Sequence, residues 1–340
     1  MMNKEIVFFL PKQTMNEATI YYVDIVKEAF IKSGYTILQA EKISELRQHR
    51  KIFVMSAKWC FLVKLYSPRA KIVTWFQGLG AEEALMTKNS ILRKRLWNCV
   101  EYFAMKFSWL NIYVSERMHK YYMDTYNIYD KNFFIMPCFN KKLNINAFNV
   151  SGKYTCPSFV YAGGLDKWQC IEETLELYSL IEKENSNASL TILTREQEKA
   201  HLLVKNYGIK NYKISFVSLE NLDDELKKYK YGFLIRQNHI VNNVSTPTKM
   251  NSYLANGVIP IYTDVICDFN KNFRACTSFI KLGSGKTVAD WGKDFILYEN
   301  SAELIDSCCL IREVSNIFLE YYNEVDYIDF LAKKLITMRR

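Results

Sequence analysis

The sequence holds no C-x-x-C pair and no His–Cys cluster at zinc spacing, so its nine cysteines do not outline a metal centre. Their odd number and wide scatter argue against a disulfide framework and read as reduced thiols of a cytoplasmic protein. Apolar runs are short. None approaches the ~20 residues of a membrane span, and the passage from Met2-Asn3-Lys4 into Ile6–Leu10 is too brief for a secretion signal. Low-complexity tracts are missing, which excludes a disordered tail. No D-x-D triplet occurs, which argues against a divalent ion clasped by paired carboxylates; no bound cofactor is expected. Gly283-Ser284-Gly285-Lys286-Thr287 ends like a phosphate-binding P-loop, but Ile280 stands where the first glycine must turn the backbone. Gly78-Leu79-Gly80 is no dinucleotide fingerprint, because Glu83 occupies the place of its third glycine. A dinucleotide oxidoreductase is disfavoured accordingly.

What is present fits two folded halves. A chain of 340 residues, 49% of them hydrophobic, can bury two cores in domains of about 150 residues each. The net charge is +9, yet the basic residues form no single block, which speaks against a nucleic-acid partner. They gather modestly with aromatics and methionine between Lys88 and Lys106, around Arg93, Lys94, Arg95 and Trp97. Such a helix suits peripheral contact with anionic membrane headgroups, and equally an ordinary exposed face.

Strands and helices alternate from the start. Ile6–Leu10, Tyr35–Leu38, Ile52–Met55, Lys71–Phe76, Ile112–Val114 and Phe133–Met136 read as strands. Helices are expected over Asn16–Ile31, Trp59–Leu65, Asn89–Leu110 and up to Tyr126. The polar stretch Asn140–Pro157 reads as a linker, and the pattern then restarts. Strands at Ser158–Ala162, Leu190–Thr194, Lys213–Val217, Phe233–Arg236 and Val258–Tyr262 alternate with helices such as Ile171–Glu184. A weaker strand near Ser278–Leu282 and helices around Ala302–Tyr322 and Tyr327–Met338 complete the chain. The expected class is α/β, with two doubly wound, Rossmann-like domains facing a central cleft: residues 1–150 and 151–320. A final helix within 321–340 packs back on the first.

The stretch Tyr231–Asp264 is the most informative. An apolar strand ends at Arg236, a polar loop follows, and Thr246-Pro247-Thr248-Lys249 spells a helix start with Thr246 as N-cap and Pro247 at N1. Asn256-Gly257 stops that helix before the next strand. Strand, loop, helix and strand in this order build an anion site at the edge of a parallel sheet. Taken singly, Arg236 and Lys249 are ordinary surface charges; around one helix N-terminus they form a candidate clamp for a diphosphate. Gly163-Gly164 is either a plain tight turn or a place where backbone approaches phosphate without a Cβ. Glu82 and Glu83 follow a strand end and can serve as a general base or simply favour a helix N-terminus. His239 reads as a solvated loop histidine.

The run YGFLIR, Asn242, STPTK and SYLANG resembles the carboxyl-terminal half of GT-B glycosyltransferases, particularly family 4-type bacterial enzymes of surface-polysaccharide synthesis. Phe159–Gln169 is similar to their strand-turn beside the donor phosphates. Trp75-Phe76-Gln77-Gly78 with Glu82-Glu83, and Val114-Ser115-Glu116-Arg117-Met118, look like their WxQG..xEE and VSExM patterns. The resemblance covers about Lys71 to Asp264. It implies a nucleotide-diphosphate sugar held by the second half and a saccharide or lipid-linked acceptor held by the first. It also implies transfer with retention, without metal, in O-antigen- or capsule-like polysaccharide synthesis at the inner face of the membrane.

On that reading Arg236 and Lys249, with Glu82 and Glu83, form the catalytic set. Gly163, Gly164, Lys167, Ser218, Asn242, Ser245, Thr246, Pro247, Thr248, Ser252 and Tyr253 bind the donor; Gln77, Gly78, Ser115 and Glu116 lie on the acceptor side. One position departs from the family. Its ribose-contacting glutamate falls at Ser252, five residues before Gly257, and a serine offers a hydroxyl but no carboxylate. The alternative is therefore a non-catalytic protein of the same fold that binds a nucleotide sugar or serves as a scaffold.

Overall fold

A computed structural model describes residues 4–15, 17–301 and 306–338. Its contacts divide the chain into two units after Asn140; Val244–Thr246 and the segment from Asn323 group with the first. Each unit is built on its own parallel sheet.

In the first unit β1 (Glu5–Phe9), α1 (Glu17–Lys32), β2 (Thr36–Ala40), β3 (Lys51–Val54), α2 (Ala57–Tyr66) and β4 (Lys71–Phe76) follow in order. Next come α3 (Gly80–Lys88), α4 (Ile91–Phe107), β5 (Leu110–Tyr113), α5 (Glu116–Tyr126) and β6 (Phe133–Ile135). The strands pair in parallel in the order β2-β1-β3-β4-β5-β6. Strands such as IVFF and IVTWF are apolar on both faces because helices cover both sides of a parallel sheet. Phe8 stacks on Phe53 at 4.5 Å, and Trp75 meets Tyr22 edge-on at 5.0 Å. The helix expected over Asn89–Leu110 is α4, a little shorter at both ends: Asn89, at φ 46°, ends α3 in the left-handed conformation, and Ser90 caps α4. Residue 16, expected to open the first helix, lies outside the described residues.

The second unit runs β7 (Ser158–Ala162), α6 (Ile171–Glu184), β8 (Ser189–Leu193), α7 (Gln197–Asn206), β9 (Tyr212–Ser215), α8 (Leu222–Leu226) and β10 (Tyr231–Leu234). It continues with α9 (Ile240–Asn243), α10 (Thr248–Ala255), β11 (Ile259–Thr263), α11 (Cys267–Asn272), β12 (Ile280–Leu282), α12 (Val288–Ser301) and α13 (Ser307–Glu320). Its strands pair in the order β12-β11-β10-β7-β8-β9, all parallel. Tyr253 of α10 ties two of them: its hydroxyl accepts from the Ala162 N–H at 3.1 Å and lies 3.3 Å from the Phe233 carbonyl. The stretch expected as a linker is instead packed from Lys141 onward within this unit. Phe148 is buried beside Gly257, and the buried Lys153 ammonium donates to the carbonyls of Ala147 and Asn256, satisfying a helix end. Part of the helix expected at Ala302–Tyr322 falls on residues 302–305, outside the described residues.

The last helix, α14 (Glu324–Thr337), is part of the first unit and packs along α1. Tyr21 donates to Glu324 at 2.6 Å, Lys32 pairs with Asp329, and Tyr327 contacts Phe139. No helix among the described residues is long and apolar enough to cross a membrane.

Candidate active site: a cation pair at the switch point of the second sheet

In the second sheet the chain moves outward from β7 through β8 to β9, and in the other direction from β10 through β11 to β12. The neighbours β7 and β10 therefore flank the topological switch point, where connections diverge and leave a crevice beyond the carboxyl ends of the strands. Gly163 leaves β7 there, Arg236 lies just past β10, and Lys249 sits in the first turn of α10.

Arg236 is only 3% exposed. Its guanidinium donates to the Gln169 carbonyl at 3.0 Å, to the Gln169 side-chain Oε1 at 2.6 Å and to its own strand at the Ile235 carbonyl. Thr263 of β11 fixes the Arg236 backbone through both its N–H and its carbonyl. Lys249 donates to the same Gln169 Oε1 at 3.4 Å and lies 3.8 Å from the centre of the Tyr161 ring. Among the described residues no carboxylate forms an ion pair with either group. Burial, reinforced by the Arg236 charge, holds the Lys249 ammonium well below its usual range. Burial also lowers Arg236, which stays charged.

The backbone passes close to the pair. Gly163 has φ +147°, and a Cβ built on it would lie 3.1 Å from Lys249 Nζ. This is a close approach that glycine alone accommodates without strain. The loop after it is pinned by Tyr161, which donates to the Gly164 carbonyl at 2.5 Å, and by Glu196, which accepts from the Leu165 N–H at 2.7 Å. No side chain caps the N-terminus of α10; Pro247 holds the N-cap position. Thr246, expected there, turns its hydroxyl to the Cys138 N–H at 3.0 Å within the first unit, so it cannot cap α10. The Met250 N–H bonds back to the Pro247 carbonyl, and the partial positive charge of the helix start lies on the side of Lys249.

The other donor-side candidates scatter. Asn242 is buried and donates to the Gln237 carbonyl, tethering the loop after β10. Ser252 and Tyr253 lie in the interior on α10. Lys167 is exposed on the turn before α6, and Ser218 lies beyond the edge strand β9, accepting from Asn221. Ser245 groups with Thr246 in the first unit, while Pro247 and Thr248 start α10. Gln169 was not among the expected site residues, yet it joins both cations. Its signal was the position six residues past Gly163, inside the strand-turn segment.

In the first unit, Glu82 is nearly buried and already engaged, by Lys94 at 2.8 Å and the Tyr121 hydroxyl at 2.6 Å. Glu83 is raised by burial and its Oε1 lies over Gly78, whose carbonyl accepts from Tyr122. Ser115 caps α5 through the Met118 N–H and donates to the Val244 carbonyl, and Glu116 is exposed beside it. Behind them Glu101, 1% exposed, accepts from the Ala81 N–H, Tyr122 and Tyr126, and burial pushes its carboxyl up to about 7. The run at Gly283–Thr287 is the capped start of α12: Thr287 and Asp290 bond reciprocally, and Lys286 pairs with Asp294.

No protein-family model matches the chain, and no curated protein matches it in sequence. Its fold does match solved structures. The architecture is GT-B, shared by glycosyltransferases. Anabaena Alr3699/HepE, solved with UDP-glucose, matches at TM-score 0.68 and 9% identity over 98% of this chain and 99% of that one. Sucrose-phosphate synthase from Thermosynechococcus elongatus matches at 0.66 and 10% identity, over 99% and 98% of the two chains. A TarM variant of S. aureus, solved with UDP, matches at 0.65 and 9% identity over 87% of this chain, which spans 57% of TarM.

Proposed function

We propose that this chain is a glycosyltransferase that moves a sugar from a nucleotide-diphosphate sugar to a saccharide or lipid-linked saccharide. The observation that carries the reading is the Arg236–Lys249 pair, bound to one amide oxygen at a sheet switch point with no carboxylate counter-ion among the described residues. A diphosphate supplies the missing negative charge. Arg236 contributes a fixed charge held by Gln169, and an anion beside Lys249 favours its charged form. The N–H groups of α10 add donors, and Gly163 lets the phosphates come close. HepE and TarM, which share the fold, were solved with UDP-glucose and UDP, and this supports a UDP-type donor.

Transfer breaks the bond between the anomeric carbon and the diphosphate oxygen, and the clamp stabilises the charge that develops on that oxygen. The resemblance adds retention of configuration, with the leaving oxygen taking the acceptor proton, and a metal-independent step in which these cations act instead of a divalent ion. On the acceptor side Glu83 is the freer carboxylate, since Glu82 is held by Lys94 and Tyr121. A role in surface-polysaccharide synthesis at the inner membrane face completes the reading. A second reading, binding without catalysis, is favoured by Ser252, which is buried and brings no carboxylate. Calorimetry with UDP-sugars followed by product analysis with and without added acceptor separates the two. Binding with transfer supports the first, binding without turnover the second, and no binding removes both.

A further inference from the structure

The exposed side of α4 is apolar and basic at once. At helical spacing Leu92, Leu96 and Phe107 face solvent, with Leu92 69% and Leu96 60% exposed. Arg93, Arg95 and Lys106 stand among them, also exposed. The Lys106 ammonium lies 5.9 Å from the Phe107 ring and donates to the Tyr102 hydroxyl at 3.4 Å, which places its charge on the apolar row itself. Helix α2 packs alongside α4, and Phe61, Phe103 and Phe107 form a continuous row of ring contacts at 5.1 and 4.6 Å. Leu65, 62% exposed, extends the apolar surface onto α2.

Charge decides what such a face can meet. Across α2 and α4 the one carboxylate is Glu101, and it is buried behind the face. The flanking acids are Glu82 and Glu83 on α3, the first tied to Lys94 and the second turned over Gly78, the exposed Glu45 on the turn beside α2, and the exposed Asp124 on α5. α14 offers the contrast. Its exposed Val325 and Phe330 lie among Glu324, Asp326 and Asp329, with Lys333 5.8 Å from the Phe330 ring, so its charge is mixed rather than basic.

We infer that the α2–α4 face docks the protein on the surface of an anionic phospholipid bilayer, with Leu92, Leu96 and Phe107 entering the headgroup boundary and Arg93, Arg95 and Lys106 meeting lipid phosphates. This names the contact surface for work on a lipid-linked acceptor, but it rests on α2 and α4 and stands apart from the donor clamp.

Flotation of the full chain with vesicles tests it. Wild type is expected to float with phosphatidylcholine vesicles containing phosphatidylglycerol at low salt, and not with phosphatidylcholine alone. Arg93→Ser with Arg95→Ser is expected to weaken partitioning roughly thirtyfold, at ~1 kcal/mol per basic residue. Leu92→Glu with Leu96→Glu is expected to abolish it, whereas Phe330→Glu on α14 leaves it unchanged. Thermal midpoint and UDP affinity, measured in parallel, are expected to stay at wild-type values, so that failure here is distinct from failure of the transferase reading. Wild type that does not float overturns the inference, as does flotation undiminished in both double variants. So does a concentration-dependent dimer that Leu92→Glu with Leu96→Glu dissolves without any vesicle binding, which would make a second copy the occupant.

Discussion

At the carboxyl edge of the second sheet, two cationic side chains crowd the amide oxygen of Gln169 with no carboxylate among the described residues paired to either. Beyond the first sheet three glutamates occupy a corner of their own, and two are fully engaged: Glu82 by Lys94 and Tyr121, Glu101 by Ala81, Tyr122 and Tyr126. A corner whose carboxyl groups are already hydrogen-bonded holds structure together. A corner whose charges are unbalanced costs stability until a ligand arrives, and its persistence is an argument for function. On the proposed function the contrast favours the second unit for the donor and Glu83, the less engaged of the three, for the acceptor side.

The largest expected effect breaks the cation pair. Arg236→Ala or Lys249→Ala lowers turnover at least ~100-fold, the scale of one lost oxyanion-type donor, in a steady-state assay with a UDP-sugar. Gly163→Ala should follow, since it forces a side chain into φ +147° and within 3.1 Å of Lys249 Nζ. A strain of roughly 1–3 kcal/mol weakens UDP binding about tenfold or more by calorimetry.

The satisfied corner predicts a different signature. Because burial raises Glu101 from an ordinary 4.5 to about 7, its contribution to stability is fully present below pH 4.5 and is lost as pH rises through 7. Glu101→Gln removes that slope, worth on the order of 3 kcal/mol, and chemical denaturation at pH 5 and pH 8 reads it. Glu82→Gln is the mildest change, costing about 1 kcal/mol of stability through a partly exposed ion pair with turnover within about threefold of wild type. Glu83→Gln, in contrast, depresses transfer to acceptor about tenfold or more while leaving UDP affinity alone.

The strands were readable because parallel strands covered on both faces are continuous apolar runs. KIVTWF and SFVYA match the observed β4 and β7 to the residue. Local chemistry misled at Thr246, whose sequence context is that of an N-cap but whose hydroxyl is claimed by Cys138, more than a hundred residues away in the chain. The same distance hid Gln169, which meets Arg236 only once β7 and β10 lie side by side, and Glu101, whose partners come from α3 and α5. Cationic residues near a helix start were visible in sequence; that no described carboxylate pairs with them is a property of the fold.

Calorimetric titration of UDP into wild type, Arg236→Gln and Lys249→Met tests the clamp most directly. The account predicts that each substitution weakens UDP at least tenfold. It also predicts that wild-type binding takes up protons as Lys249 rises from its depressed value, so affinity falls with increasing pH and the enthalpy depends on the buffer's ionisation. UDP affinity unchanged in both variants, with no proton uptake in the wild type, would contradict it.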